Sequence, residues 1–433
     1  MSEFTRRAAL AAGLAMAAGI EVKAEPSVGR FSANALESFR APAVRAVAAG
    51  DVPGVVSLVW RKGEVAEVNT IGLRDVQHKL PMERTTIFGV ASMSKPVTVV
   101  VALMLAEQGK IKLEDPITKW APEFADMRVL RRADGPLDDT YPAPRLITIE
   151  DLMTHRSGLS YAFIAAGPLA GALAERVGFG IDSPLTPDQW LKALATLPLA
   201  YAPGERFNYG HSIDVLGFIL GRAAGTTTRQ VFQEHLFGPL GMADTDFWIP
   251  LEKRDRMAVV YNSPGPGNFT TVSMPSFTGP TPMAYTSGGQ GLVTTAEDYL
   301  TFARMLLHKG AVNGVRLLKP ETVKLMTTNR LTPSQRAIPV MGTPMFAGQG
   351  FGLGVSVITE PEKHAWMGYG RAGAFGWPGA FGGWWQADPA EDMVLLWLQE
   401  VLPAAPTPNA LPRMPGAAAT LEFQKAVYAA LNR

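Results

Sequence analysis

The sequence predicts an α/β protein of the α+β type: an antiparallel sheet flanked by helices, with a helical lobe inserted into it. Strand-like runs occur at both ends of the chain and helical patterns fill the middle. The chain is also long enough for two packed lobes, with 433 residues of which 47% are hydrophobic. One sheet assembled from the two termini is the economical arrangement. Residues 25–116 and 285–433 are then the sheet-bearing domain and 117–284 the mainly helical one, with the active site between them.

The first residues read as a leader. Arg6 and Arg7 precede an Ala/Gly/Leu-rich stretch from Ala8 to Ile20, and Val22-Lys23-Ala24 fits a small-residue cleavage site. Residues 1–24 are therefore expected to be a signal peptide of a periplasmic or secreted protein, and "TRRAAL" resembles a twin-arginine signal without its usual phenylalanine. If retained, the segment is an alanine-rich first helix of a cytoplasmic protein.

Ser32 then caps a helix running to Ala49, where Gly50 stops it. "VVSLVW" (55–60) and "EVAEVNTIG" (64–72), joined by Arg61-Lys62-Gly63, predict an antiparallel hairpin. A helix follows Ser92 and ends at Gly109, with Val97, Val100, Val101, Met104 and Leu105 turned inward. Helical segments "ITIEDLMTH", "TPDQWLKALATL", "SIDVLGFILGRAAG" and "TTRQVFQEHLF" alternate with Pro/Gly-rich loops in the middle. The last part predicts helices at "TAEDYLTFARMLLHKG" and "KPETVKLMTT". Strands are expected at "FGLGVSVIT", "FGGWWQAD" and "DMVLLWLQE", then a Pro-rich loop near residue 403 and a final helix at "ATLEFQKAVYAALN".

Composition excludes several functions. Lys and Arg number 40 against 39 Asp and Glu with no long basic run, so the chain lacks a nucleic-acid footprint. No apolar run reaches the roughly 20 residues that span a bilayer. With 0 cysteines there is neither disulfide nor thiol chemistry. The six histidines (His78, His155, His211, His235, His308, His364) show no ligand spacing, so no metal or cofactor is expected. There is no G-x-S-x-G elbow, "YTSGGQG" (285–291) coming closest. The expected partner is a small, mostly uncharged molecule.

The chemistry-bearing stretch is "GVASMSKPVT" (89–98). Ser92 and Lys95 are the only Ser-x-x-Lys pair, and residues three apart share a helix face, so Lys95 Nζ can reach Ser92 Oγ. At a helix start the serine N–H is free for an oxyanion and the helix dipole favours negative charge. The alternative is that Ser92 caps the helix and Lys95 points to solvent.

Taken together, "SMSK" (92–95), "IEDLMTHRSGLS" (149–160), "PGERFNYGHSIDVLG" (203–217), "LFGPLGMADTDF" (236–247), "SGGQGLVTTAEDY" (287–299) and "GWPGAFGGWWQADP" (376–389) resemble, in this order, the serine β-lactamase and penicillin-binding protein superfamily. Within it they are most similar to the family VIII carboxylesterases, relatives of class C β-lactamases. The resemblance implies a β-lactamase-like fold and places the Ser-x-x-Lys nucleophile and lysine on Ser92 and Lys95, and the catalytic tyrosine on Tyr209. It implies an oxyanion hole from the N–H groups of Ser92 and Ala380, with Trp377 and Gly379 in the substrate-binding element. Where true β-lactamases carry Lys-Thr-Gly, this chain has Trp377-Pro378-Gly379, which offers apolar contact and no comparable partner for a carboxylate. His211 replaces the asparagine of penicillin-recognising members; it either contacts substrate or caps a helix.

The implied activity is hydrolysis of carboxylic esters with short to medium acyl chains through an acyl-enzyme on Ser92. Lys95 and Tyr209 form a coupled pair, the resemblance favouring an ionised Tyr209 as base. Trp366, Met367, Tyr369, Phe375, Phe381, Tyr161 and Phe163 are candidates for pocket wall or core. The competing readings are a β-lactamase or D,D-peptidase, an acyltransferase, and a non-catalytic penicillin-binding sensor.

Overall fold

Residues 31–178, 180–363, 368–403 and 414–431 are described by the computed structural model. The leader (1–24), Trp366, Met367, His364 and most of the Pro-rich stretch after residue 403 lie outside the described residues.

Helix α1 (Ala33–Ala48) begins where Ser32 accepts a hydrogen bond from the Ala35 N–H. Strands β1 (Gly54–Arg61) and β2 (Glu64–Asp75) form the expected hairpin, and β2 continues past Gly72 to pair with β3 (Leu80–Pro81). Lys62 and Gly63 turn the chain with φ of 48° and 92°, the left-handed pair that matches strand twist. Helix α2 (Ser94–Glu107) is buried from Ser94 to Leu105, an apolar run broken by Ser94, Lys95 and Thr98.

The middle of the chain supplies α3 (Ile149–Met153), α4 (Gly167–Val177), α5 (Pro187–Ala195) and α6 (Ser212–Ala224). Thr148 with Asp151 and Thr186 with Gln189 close capping boxes at α3 and α5. Helix α4 is absent from the sequence reading, because the Gly/Pro/Ala-rich "GPLAGALAERV" resembles loop until Leu169, Leu173 and Val177 find a core to bury against. Two hairpins also lie in this stretch. One joins Arg128–Leu130 to Thr140–Pro142; the other joins Tyr261–Gly265 to Asn268–Thr271 and pairs in parallel with Val401–Leu402. The second hairpin leans on the sheet side of the molecule, through Val259 N–H to Arg74 O and Gly267 N–H to Gly50 O.

After α7 (Ala296–Leu307), capped by Thr295, come β4 (Gln349–Phe351), β5 (Ser356–Ile358), β6 (Phe375–Gly376), β7 (Trp384–Asp388), β8 (Met393–Leu398) and α8 (Ala417–Leu431). "FGLGVSVIT" is thus split between two strands rather than forming one. Gly354, at φ 72°, turns the chain where a Cβ would meet the Val99 side chain at 2.6 Å.

The eight strands pair antiparallel in the order β4-β5-β6-β7-β8-β1-β2-β3, so the two ends of the chain meet at the β8–β1 seam, with Val56 opposite Leu398 and Leu58 opposite Leu396. Strand alternation divides the core. Val56, Leu58, Leu396 and Leu398 face the cluster containing α2 and α7; Val55, Val59, Leu395 and Trp397 face Phe39 of α1 and Phe423 and Val427 of α8. With a helical layer on each face, both central strands read as continuous apolar runs. Among the described residues no helix is long and apolar enough to cross a membrane.

Candidate active site

Strand Phe88–Gly89 pairs with Val293–Thr294 and delivers the chain to Ala91, held at φ 41°, a conformation that costs an alanine about 1 kcal/mol or more. Ser92 follows in a 3-10 turn, Ala91–Met93, that runs straight into α2. Its side chain caps nothing. Instead Lys95, with no exposed surface, donates from Nζ to Ser92 Oγ at 3.0 Å and to Gly289 O at 2.8 Å. The Ser287–Leu292 turn is stitched along the same helix face by Thr98 Oγ1 to Gly288 O (2.6 Å) and Leu292 N–H to Ser94 Oγ (3.0 Å).

Tyr209 arrives from the loop before α6, fixed by Asn208, whose N–H bonds His155 O (2.7 Å) and whose side chain bonds Leu159 O (2.9 Å). The next residue has to be glycine, since a Cβ on Gly210 would lie 2.3 Å from Leu159 O. Lys95 Nζ sits 4.6 Å from the Tyr209 ring centroid and 5.4 Å from that of Tyr161. The Tyr209 hydroxyl accepts a hydrogen bond from Trp377 Nε1 at 3.2 Å. Serine, lysine and tyrosine therefore converge, with Tyr209 joined to Lys95 through its ring and to Trp377 through its oxygen.

Trp377 is 2% exposed and packs edge-on against Phe351, 5.1 Å between centroids. The turn that follows is tight, Gly379 N–H to Gly383 O at 2.7 Å, and abuts the nucleophile segment: a Cβ on Gly379 would meet Val90 O at 2.4 Å. Ala380 packs in one cluster with Ala91 and Phe277. Behind this turn lies Glu400, 1% exposed, with no hydrogen bond of good geometry to either carboxylate oxygen and only the Gly89 amide near it. Burial pushes its carboxyl well above the ordinary 4.5, opposed only in part by the Gly89 amide. The native state therefore keeps a proton that the unfolded chain releases above about pH 4.5, and stability falls as pH rises between the unfolded and folded values, by up to about 1.4 kcal/mol per pH unit. Glu400→Gln removes that slope. In urea unfolding from pH 4 to pH 8 the variant should gain on the wild type as pH rises; parallel curves would refute the assignment.

His211 holds the N-cap position of α6, its C=O accepting from the Val215 N–H at 3.0 Å, but its side chain neither caps nor lies open to a ligand. Its ring has no exposed surface to offer a ligand and makes no cap hydrogen bond; it is turned inward, Nδ1 on Asp214 Oδ2 at 3.1 Å, between Tyr161 and Trp190 at 4.4 and 5.0 Å. Of the expected wall, Phe375 and Phe381 are core, Tyr369 packs against the α1/α8 cluster, and Phe163 stays half exposed, stacked on buried Tyr161 at 5.0 Å. Two groups escape the sequence reading. Asp214 holds the Ser287–Gln290 turn from below. His155, with both ring nitrogens unpartnered, lies 4.7 Å from the Tyr209 ring, where burial and then the Lys95 charge hold it well below its ordinary 6.5 and so neutral. Among the described residues no group of three or more His, Asp and Glu could hold a metal.

Fold and site define the class: β-lactamase-fold enzymes of the serine hydrolase type. The chain belongs to the Beta-lactamase family, whose model matches residues 39–413. It is 47% identical over 359 residues to a protein of Mycobacterium tuberculosis described as uncharacterized, covering 82% of this chain and 87% of that one. It is 31% identical over 366 residues to esterase EstB of Burkholderia gladioli, covering 80% and 85%. Among solved structures, EstCE1, a hydrolase with promiscuous acyltransferase activity, superposes with a TM-score of 0.76 at 27% identity, covering 91% of this chain and 99% of that one.

Proposed function

We propose that this protein is a carboxylesterase acting on esters of short to medium acyl chains, with Ser92 as nucleophile. Lys95 Nζ on Ser92 Oγ at 3.0 Å, with Lys95 wholly buried and Ser92 7% exposed, is the observation that carries the reading. Ser92 Oγ bonds to the ester carbonyl carbon, its proton passing to the Lys95–Tyr209 pair. The N–H groups of Ser92 and Ala380 stabilise the oxyanion, and the tight approach of the Gly379 turn to Val90 O supports their proximity. The C–O bond to the alcohol then breaks and the leaving oxygen takes the proton back. Water repeats the cycle on the acyl-enzyme and frees Ser92.

The Trp377 N–H on Tyr209 oxygen supports a role for that oxygen as acceptor, and the indole supplies apolar contact where a β-lactamase would bind a carboxylate. The likeness to EstB and EstCE1 supports the ester substrate. The EstCE1 description also favours a second reading, transfer of the acyl group to an alcohol that outcompetes water. The leader-like residues 1–24 support export, and the division between 25–116 with 285–433 and the intervening 117–284 puts Ser92 and Trp377 on one side of the site and Tyr209 on the other.

Purified protein should hydrolyse p-nitrophenyl acetate and butyrate far faster than nitrocefin. Nitrocefin turnover exceeding ester turnover would overturn the reading, and ester product formed with an added primary alcohol would select the transferase.

A further inference from the structure

Asp214 is used by no step above, yet it is the most heavily bonded side chain near the site. It lies in the first turn of α6 with no exposed surface. Its Oδ2 accepts from Tyr161 Oη and His211 Nδ1, each at 3.1 Å; its Oδ1 accepts from Ser287 Oγ at 2.5 Å and from the Gly289 N–H at 3.0 Å. A carboxylate taken wholly out of water costs several kcal/mol unless hydrogen bonds and an opposite charge compensate it.

The hydrogen bonds are accounted for; the opposite charge comes from His211, when protonated, and from Lys95. Among the described residues no carboxylate makes an ion pair with the Lys95 ammonium, although it too has no exposed surface. Gly289 stands between them. Its N–H points at Asp214 and its C=O accepts from Lys95 Nζ at 2.8 Å, so this one residue is oriented as both charges favour. The approach needs a glycine, because a Cβ there would meet Asp214 Oδ1 at 2.8 Å.

We propose that Asp214 is a positioning residue for Lys95: its carboxylate clamps the Ser287–Gln290 turn that holds the Lys95 ammonium against Ser92, and supplies the buried negative charge that balances it. The other groups facing the two do not compete for this role. Facing Lys95 are Ser92, His155, Tyr161 and Tyr209; facing Asp214 are Tyr161, His211, Tyr285 and Ser287. Burial, followed by the Asp214 charge, pushes the phenols of Tyr161 and Tyr285 well above their ordinary 10, and His155 is neutral. Asp214 is the one carboxylate among them. Burial pushes its own carboxyl up, but the His211 hydrogen bond and charge, with the Lys95 charge and the Ser287 hydroxyl, outweigh this and hold it below its ordinary 3.8.

This inference rests on the reading of Ser92 as nucleophile, so it is tested by two rates measured across pH: ester turnover, and phosphorylation of Ser92 by diethyl p-nitrophenyl phosphate followed by intact mass. Asp214→Asn keeps the shape and removes the charge. Removing a buried negative charge from beside the site disfavours the protonated form of whatever base serves Ser92, so the acid limb of kcat/KM and of the labelling rate should move to lower pH by about one unit. Ser287→Ala keeps the charge and removes one clamp; kcat should fall about tenfold or more with KM nearly unchanged and the acid limb in place. Asp214→Asn profiles superimposable on the wild type would overturn the proposal. If that variant fails to fold, an unchanged kcat in Ser287→Ala overturns it instead. A wild-type protein that is phosphorylated at Ser92 but turns over no ester refutes the esterase reading alone, and the labelling profiles then decide the role of Asp214.

Discussion

Ser92→Ala is expected to lower p-nitrophenyl butyrate turnover by about 10⁴ to 10⁶, the scale of losing the nucleophile from a serine triad. The size of the effect follows from the covalent route: without Oγ no acyl-enzyme forms, and only the oxyanion donors and the pocket remain. The fold should survive. Ser92 Oγ makes its hydrogen bond to Lys95, which keeps its second partner on Gly289 O, so the loss is about 1 kcal/mol or less. Steady-state rates and a thermal melt of the same preparation check both halves. Turnover retained at a tenth of wild type in a folded variant would move the nucleophile elsewhere.

Lys95→Met should cost about 10³ or more in kcat while leaving KM within a few-fold. The ammonium is directed at Ser92 and Gly289 rather than at a substrate, so its removal takes away proton transfer and leaves binding nearly as it was. Methionine fills most of the volume, which separates loss of charge from loss of packing. The same change strands Asp214 without its balancing charge, so urea unfolding should show a loss that the double variant Lys95→Met/Asp214→Asn partly restores. Equal KM and a kcat reduced only two- or threefold would remove Lys95 from the chemistry.

What the sequence discloses and what it hides follow a physical line. Ser92 and Lys95 are three residues apart on continuous helical backbone, so their contact is a local fact, and spacing alone anticipates it. The capped helices and the apolar strands 54–61 and 393–398 are legible for the same reason, because cap chemistry and a continuous apolar run act over a few residues. His211 is different. Its inward turn is set by Tyr161, Trp190 and Asp214 packing around it, and two of those three come from elsewhere in the chain. The Gly289 carbonyl on Lys95 is equally invisible, as a backbone atom has no residue signature. Phe375–Gly376 is too short a strand to carry a pattern, and exists because β5 and β7 flank it.

The β8–β1 seam has a bearing on how this enzyme comes to life. Trp60 and Val394, or Ser57 and Trp397, become neighbours only after the long stretch of chain between them has been made. Loop-closure entropy makes such distant pairing slow, so a chain still emerging from the ribosome holds Ser92 and Lys95 but no central sheet to support them. Hydrolytic power should therefore switch on late and all at once, when the C-terminal strands dock, and truncations that remove those strands should be inert rather than partly active.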